Sequence, residues 1–244
     1  MTVKEFLDRF VFVYKCVSCD EILSYEQSKG AFCPKCRTAW EKAKTVSCPT
    51  CYREAVACTC MPKPLAKEGA LCLRKIMFYD KAKGNEPPNR LIYRLKHGKN
   101  FRFEHFVANE LARQIREELC VLSLDGSMDD VLLTYLPRSR RAVRDEGFDQ
   151  SERMARAVGE VLGISVEKMI LRTRFSRIQK ALDARERMRN AKQSFFLSPD
   201  AGVQGKYVIL IDDIVTTGAG MSVCTALLRK AGARGILCFC IAMG

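Results

Sequence analysis

Two sets of residues in this 244-residue chain could do chemistry, and they lie near its two ends. The first is a set of cysteines. Cys16-x2-Cys19 and Cys33-x2-Cys36 are followed by Cys48-x2-Cys51 and then by Cys58-x-Cys60. A C-x2-C turn lets two thiolates reach one tetrahedral ion at about 2.3 Å, and two such turns close its shell. The first four make a strong zinc-ribbon pattern. The second four make a weaker one, because their last pair is one residue shorter. Pairing across the sets, for example Cys16 and Cys19 with Cys48 and Cys51, is also open. A shell of four thiolates leaves no position for water, so the two zinc ions expected here are structural. They would supply most of the folding energy of a segment with few apolar residues.

The second set is in residues 207–220, YVILIDDIVTTGAG. An apolar run of this kind suits a strand buried on both faces of a parallel sheet. Asp212 and Asp213 then stand at its carboxyl end, the edge where open α/β sheets bind ligands. Thr216, Thr217, Gly218, Ala219 and Gly220 follow as a short loop opening onto a helix. Small residues at a helix N-terminus offer free N–H groups and the positive dipole end to an anion. The two carboxylates suit ribose hydroxyls, or a magnesium ion bridging them. Phosphate beside a diol describes a ribose 5-phosphate. Neither G-x-x-x-x-G-K-[ST] nor G-x-G-x-x-G is present.

The elements that must position these residues are legible in outline. Residues 1–62 form a cysteine-rich unit, and 63–70, with two prolines in MPKPLAKEGA (61–70), suit a linker. In 71–244 a strand at 71–80 is followed by a loop at 81–89 and a helical stretch with Phe106, Ala108, Leu111, Ala112 and Ile115 on one stripe. A buried strand in 131–139 that ends in a Pro-containing loop, a helix at 151–162, a strand at 205–213, a helix at 221–233 with 223, 226, 227 and 231 inward, and a last strand at 235–243 complete the pattern. This alternation predicts an α/β fold with a parallel sheet flanked by helices. Trp40, the single tryptophan, is expected to pack on the cysteine-rich unit, and Cys72, Cys120, Cys224, Cys238 and Cys240 are expected as buried thiols. His97 and His105 sit near no plausible triad.

Composition narrows the classes. The chain is 48% hydrophobic, yet its longest apolar stretches fall far short of the roughly 18–20 residues that span a bilayer. The N-terminus lacks the apolar centre of a secretory signal, and 13 cysteines without one point to metal or buried thiols in the cytoplasm. The net charge is +13, and residues 171–192 hold eight bases against two acids. Such a surface attracts phosphates, free or in nucleic acid, though a solvated helix face fits the same pattern equally well.

The stretch 207–220 resembles the phosphoribosyl-pyrophosphate (PRPP) motif of type I phosphoribosyltransferases: an apolar strand, two acids, then T-T-G-x-[GST]. Further motifs narrow the resemblance to the ComF family, amidophosphoribosyltransferase-like competence proteins in which an N-terminal zinc ribbon precedes a phosphoribosyltransferase domain. LIYRLKHGKN (91–100) is similar to that family's L-I-x-x-L-K-x-x-G. LPRSRRAVRDEGFDQSERMA (136–155) is similar to its P-x-S-x-x-R…R-G-F-N-Q-S, and QKALDARERMRNAKQSF (179–195) to its Q-x-x-L…E-R-x-x-N…F. Two positions depart from the pattern: Glu146 replaces the arginine of R-G-F, and Asp149 replaces the asparagine of N-Q-S.

The resemblance implies a type I phosphoribosyltransferase-like fold and magnesium-dependent displacement of pyrophosphate from ribose C1 by a nitrogen nucleophile. Asp212 and Asp213 would hold the ribose hydroxyls and residues 216–220 the 5-phosphate. Pro137, Arg138, Ser139 and Arg140 would face the pyrophosphate. Gln179, Arg185 and Arg187 belong to a segment that could form a mobile cover. It also implies a role in natural competence and DNA uptake. A catalytically silent accessory that holds single-stranded DNA through the zinc ribbon and the basic 171–192 segment is the alternative. Nothing resembles a nucleobase hood, so the acceptor stays unnamed.

Overall fold

The computed structural model describes residues 13–28, 30–80, 87–97, 101–124, 128–173 and 184–244. Helices α1 (Tyr25–Ser28) and α2 (Pro34–Lys44) and a 3-10 turn (Ala55–Ala57) lie in the cysteine-rich region. They are followed by α3 (Lys63–Lys67), β1 (Cys72–Phe78), α4 (Pro87–His97), α5 (Phe101–Val121), β2 (Val131–Tyr135), α6 (Arg140–Glu146) and α7 (Gln150–Leu162). Then come β3 (Ile170–Arg172), α8 (Ala184–Ser194), β4 (Phe195–Leu197), β5 (Tyr207–Val215), α9 (Ala219–Lys230) and β6 (Gly235–Met243).

Four strands pair in the order β1-β6-β5-β2, all parallel, while β3 and β4 form an antiparallel pair. The continuous apolar runs of β5 and β6 follow from their central place, with both faces covered. Ile209, Ile211, Leu237 and Phe239 face a core built with α5 and α7. Val208, Leu210, Ile236 and Cys238 face a second core built with α9 and α3. The α/β class read from the sequence is the one observed, with helices on both faces.

Trp40 is fully buried and does more than cap the cysteine-rich region. It stacks on Phe32 at 5.7 Å and meets the edges of Phe103 and Phe106 of α5 at 6.0 and 5.5 Å. The first cysteine group therefore shares an apolar core with the sheet's own helices. Burying one aromatic side chain of this kind contributes about 2–3 kcal/mol.

Several elements differ from expectation. Residues 63–67 of the expected linker form α3, and Leu65 is fully buried in the second core. Helix α4 begins at Pro87, inside the expected 81–89 loop, because the first turn of a helix needs no proline N–H. Helix α6, RRAVRDE, carries no apolar stripe. It forms because Ser139 Oγ accepts the Ala142 N–H, and it stops at Gly147, whose φ of +79° suits glycine. Helix α9 buries 221, 223, 224, 225 and 228, whereas 226, 227 and 231 are only half-buried. Cys120 is exposed rather than buried, and His105 lies on the exposed side of α5 beside Asn109. Among the described residues no helix is long and apolar enough to cross a membrane.

Candidate functional site

The cysteines sort by sequence neighbourhood. Cys16, Cys19, Cys33 and Cys36 form one group and Cys48, Cys51, Cys58 and Cys60 another, with the ligand atoms of each group all within 4.8 Å. The cross-set pairing is not adopted. Tetrahedral zinc at about 2.3 Å from each sulfur sets the sulfurs about 3.8 Å apart. Cys19 and Cys33 Sγ are 3.7 Å apart, and Cys51 and Cys58 Sγ are 3.6 Å apart. No disulfide joins any of the thirteen cysteines. Both groups thus fit a tetrahedral metal ion such as zinc. Burial raises the Cys48 thiol, but the backbone N–H groups of Cys51 and Thr50 and the neighbouring thiols outweigh it and bring it down to about 6. A thiolate near neutral pH is ready to begin coordination.

The paired carboxylates stand inside β5 rather than after it, since Ile214 and Val215 still pair with Ala242 and Met243 of β6. Asp212 is buried. Its Oδ1 accepts the Ser151 hydroxyl at 3.1 Å and the Asp213 N–H at 2.9 Å. Burial first, and the Asp213 charge second, push its carboxyl well above the ordinary range. Asp213 is half-buried and accepts the Ile214 N–H at 2.7 Å.

The turn 216–218 leads into α9 through Gly218, which has a φ of +71°. A side chain there would meet Pro62 at 2.9 Å, so the position needs glycine twice over. Among the described residues, no protein acceptor faces the N–H groups of Thr216, Thr217 or Gly218. These unpaired donors lie at the N-terminal end of a twelve-residue helix. Gly220 lies against Leu136 and Phe195, which brings this turn beside the segment 136–140 that leaves β2.

That segment is held by acids. Asp149 caps α7, its Oδ1 accepting from Ser151 N at 3.1 Å and Glu152 N at 3.3 Å, while its Oδ2 accepts the Arg138 N–H at 2.8 Å. Glu146 forms a two-pronged ion pair with the Arg138 guanidinium, one arm at 3.0 Å. Both departures from the family pattern therefore contact the same residue, Arg138. Beside it is a 420 Å³ cavity lined by Pro137, Arg138, Arg140, Arg144, Lys168 and Arg172 among others.

The structure thus brings together Asp212, Asp213, residues 216–220 and residues 136–140. Most of the segment expected to form a cover, 174–183, lies outside the described residues. Gln179 lies outside the described residues, as does the Arg185 side chain. Arg187 is half-buried on α8 and makes no described contact with the carboxylates. Two participants were not singled out from sequence. Ser151 orients Asp212, and its signal lay in the D-Q-S stretch. Arg172 donates to the Pro137 carbonyl at 3.3 Å and lies over the Phe195 ring. A larger cleft of 920 Å³ lies elsewhere, lined by Arg37, Phe101, Arg102, Phe106, Arg113 and Arg153 among others, and shares no residue with the carboxylate edge.

Paired thiolate knuckles joined to an open parallel sheet, with carboxylates and an anion-ready turn at its carboxyl edge, define the class of this protein. The chain is similar to DNA utilization protein YhgH of Salmonella typhimurium, 31% identical over 158 residues. That match covers 64% of this chain and 66% of the relative, just under two thirds of its length. It is also similar to Competence protein F of Haemophilus influenzae, 26% identical over 218 residues (84% and 93% of the two chains). Competence protein ComFC of Streptococcus pneumoniae is 24% identical over 221 residues (89% and 90%). Over most of its length the chain is thus similar to competence and DNA utilization proteins. No protein-family model matches it. Among solved structures, the allosteric regulatory enzyme of purine biosynthesis superposes with a TM-score of 0.38 at 19% identity, over 61% of this chain and 30% of that one.

Proposed function

We propose that the chain binds PRPP with magnesium at the carboxylate edge, that it acts in competence and DNA utilization, as its relatives' names suggest, and that it does so in DNA uptake in the cytoplasm. The division into a zinc-ribbon unit (1–62), a connector (63–70) and a phosphoribosyltransferase-like unit (71–244) belongs to the same proposal. The observation that carries it is the turn of unpaired N–H groups at residues 216–218 beside Asp212 and Asp213. The turn takes the 5-phosphate, and the carboxylates accept the ribose hydroxyls. Ser151 and the Asp213 N–H hold Oδ1 of Asp212 and so fix the orientation of its carboxyl at this edge. Asp212 and Asp213 are the residues that would hold magnesium together with the ligand, and the ion would supply charge neutralisation there. Displacement at ribose C1 passes through an oxocarbenium-like state, so the chain's task is to position charge rather than supply a nucleophile.

Calorimetric titration of PRPP into the zinc-loaded protein tests this, with and without Mg²⁺. Heat that depends on Mg²⁺ is the expected result. No heat at any temperature overturns the reading.

The 920 Å³ cleft favours a second reading. Arg37 lies over Phe106 at 5.7 Å and Arg153 over Phe101, which is 78% exposed at the rim. Arginine and aromatic faces in alternation suit phosphates and stacked bases of single-stranded DNA. Binding there would fall steeply with salt, whatever the base sequence. Phe101→Ala would weaken it by about tenfold. A short labelled oligonucleotide, titrated at several salt concentrations, distinguishes the two readings.

A further inference from the structure

The second cysteine group and the carboxylate edge are linked through two contacts that the proposed function does not use. The first is Lys75. It is fully buried in β1, and its Nζ donates to the carbonyls of Cys58 at 2.9 Å and Cys60 at 3.0 Å. Among the described residues no carboxylate lies within ion-pair distance of it. A buried ammonium without a counter-charge is costly. Four thiolates around a divalent ion carry a net charge of −2, which supplies what Lys75 lacks. Lys75 pairs in register with Cys240 of β6, and Cys240 pairs with Asp212 of β5. The three residues thus form one row across adjacent strands, with Asp212 two strands, about 10 Å, from Lys75.

The second contact is Pro62. It follows the ligand Cys60 by two residues and packs against Gly218, the residue that turns the chain into α9. Behind it, Leu65 is fully buried in the core beneath the same turn. The peptide that carries the last thiolate therefore continues directly into the wall of the anion-ready turn.

We propose that the second cysteine group is a wall of the ribose-phosphate site, with Lys75 as its counter-charge and Pro62 as its contact, so that metal in this group sets the shape of the turn. This rests on the ribose-phosphate reading above. The first group, packed on α5 through Trp40, has no such contact among the described residues. Affinity for a ribose phosphate should thus depend on one metal ion and not on the other.

The test uses the zinc-loaded full chain with Cys58→Ser and, as a control, Cys33→Ser. Zinc content, ribose 5-phosphate affinity and amide exchange at Ser222, whose N–H donates to the Gly218 carbonyl at 2.8 Å, are measured together. Each variant is expected to lose one zinc. Only Cys58→Ser should lose ribose 5-phosphate affinity, by at least about tenfold, and exchange faster at Ser222. Equal effects from both variants, or none from Cys58→Ser, overturn the proposal. A parent that binds no ribose 5-phosphate refutes the site reading, while Ser222 exchange still decides the coupling. If Cys58→Ser does not fold, Lys75→Met keeps every thiolate. It should weaken zinc at the second group by about 10–100-fold, with Ser222 exchange restored by excess zinc. Faster exchange that zinc does not reverse would also overturn the proposal.

Discussion

Replacing both acids, Asp212→Asn/Asp213→Asn, should remove PRPP binding and at the same time raise the melting temperature of the free protein. Hydrogen bonds from ligand hydroxyls to charged carboxylates contribute about 1.5–3 kcal/mol each. Losing two weakens binding by about 100-fold or more. The stability gain has a separate cause. Burial and the Asp213 charge hold Asp212 well above the ordinary carboxylate range in the folded chain. A carboxyl raised in this way favours the fold at acid pH, and that contribution is lost as pH rises through its folded value. At neutral pH that contribution is reduced, and burying the Asp212 carboxyl costs the parent stability. Asparagine keeps an Oδ1 for the Ser151 hydroxyl and the Asp213 N–H but removes the charge. Each kcal/mol recovered should raise Tm by about 2–4 °C. The gain should shrink as pH falls through the raised folded value of Asp212 and be gone near about 4, where the unfolded carboxyl also takes up its proton. A double variant that melts lower than the parent at about pH 7.5, or that still binds PRPP, would contradict the argument. The carboxylates would then be structural.

How much of this was legible in sequence depended on the range of the interactions involved. The cysteine knuckles could be read because each pair closes over two residues, and geometry at that scale is local. The choice of partner pair was not local, and the fold made it. The β5 run could be read from its apolar residues, but its end could not. Ile214 and Val215 belong to the strand only because Ala242 and Met243 of β6 lie opposite them. Helix α6 escaped periodicity because capping at Ser139 and the stop at Gly147, rather than an apolar face, define it. The inward face of α9 was misplaced toward 226, 227 and 231 because α9 packs on α3 and α8, whose positions sequence spacing does not reveal. Residues 63–70 read as a connector from their prolines. The burial of Leu65 and the contact of Pro62 with Gly218 are long-range facts. Sequence also marked Glu146 and Asp149 as departures without showing that both contact Arg138.

That shared contact leads to the second large effect. Glu146→Gln/Asp149→Asn should tighten PRPP binding by about tenfold or more while lowering the stability of the free protein. Arg138 belongs to the segment expected to face the pyrophosphate, but both of its donor groups are already taken by the chain's own acids. Glu146 holds the guanidinium, and Asp149 Oδ2 holds the backbone N–H. A pyrophosphate must displace those contacts before it gains its own. Glutamine in place of Glu146 removes the competing charge and leaves a side chain of similar size. Asparagine in place of Asp149 can still cap α7 through Oδ1, but it turns an NH2 toward the Arg138 N–H, which is then free for an anion. Recovering one charge-assisted contact of about 1.4 kcal/mol is worth a factor of ten in affinity. The side chains of the ion pair are only 20% and 15% exposed, so breaking it leaves Arg138 without compensation in the free protein. That loss costs about 1–3 kcal/mol of stability, which bound pyrophosphate restores. The paired measurement is the PRPP dissociation constant by calorimetry and Tm with and without ligand. Tighter binding with a lower ligand-free Tm is the expected result. Unchanged or weaker binding would mean that the acids do not compete with the ligand, and that the segment at Arg138 does not meet the pyrophosphate.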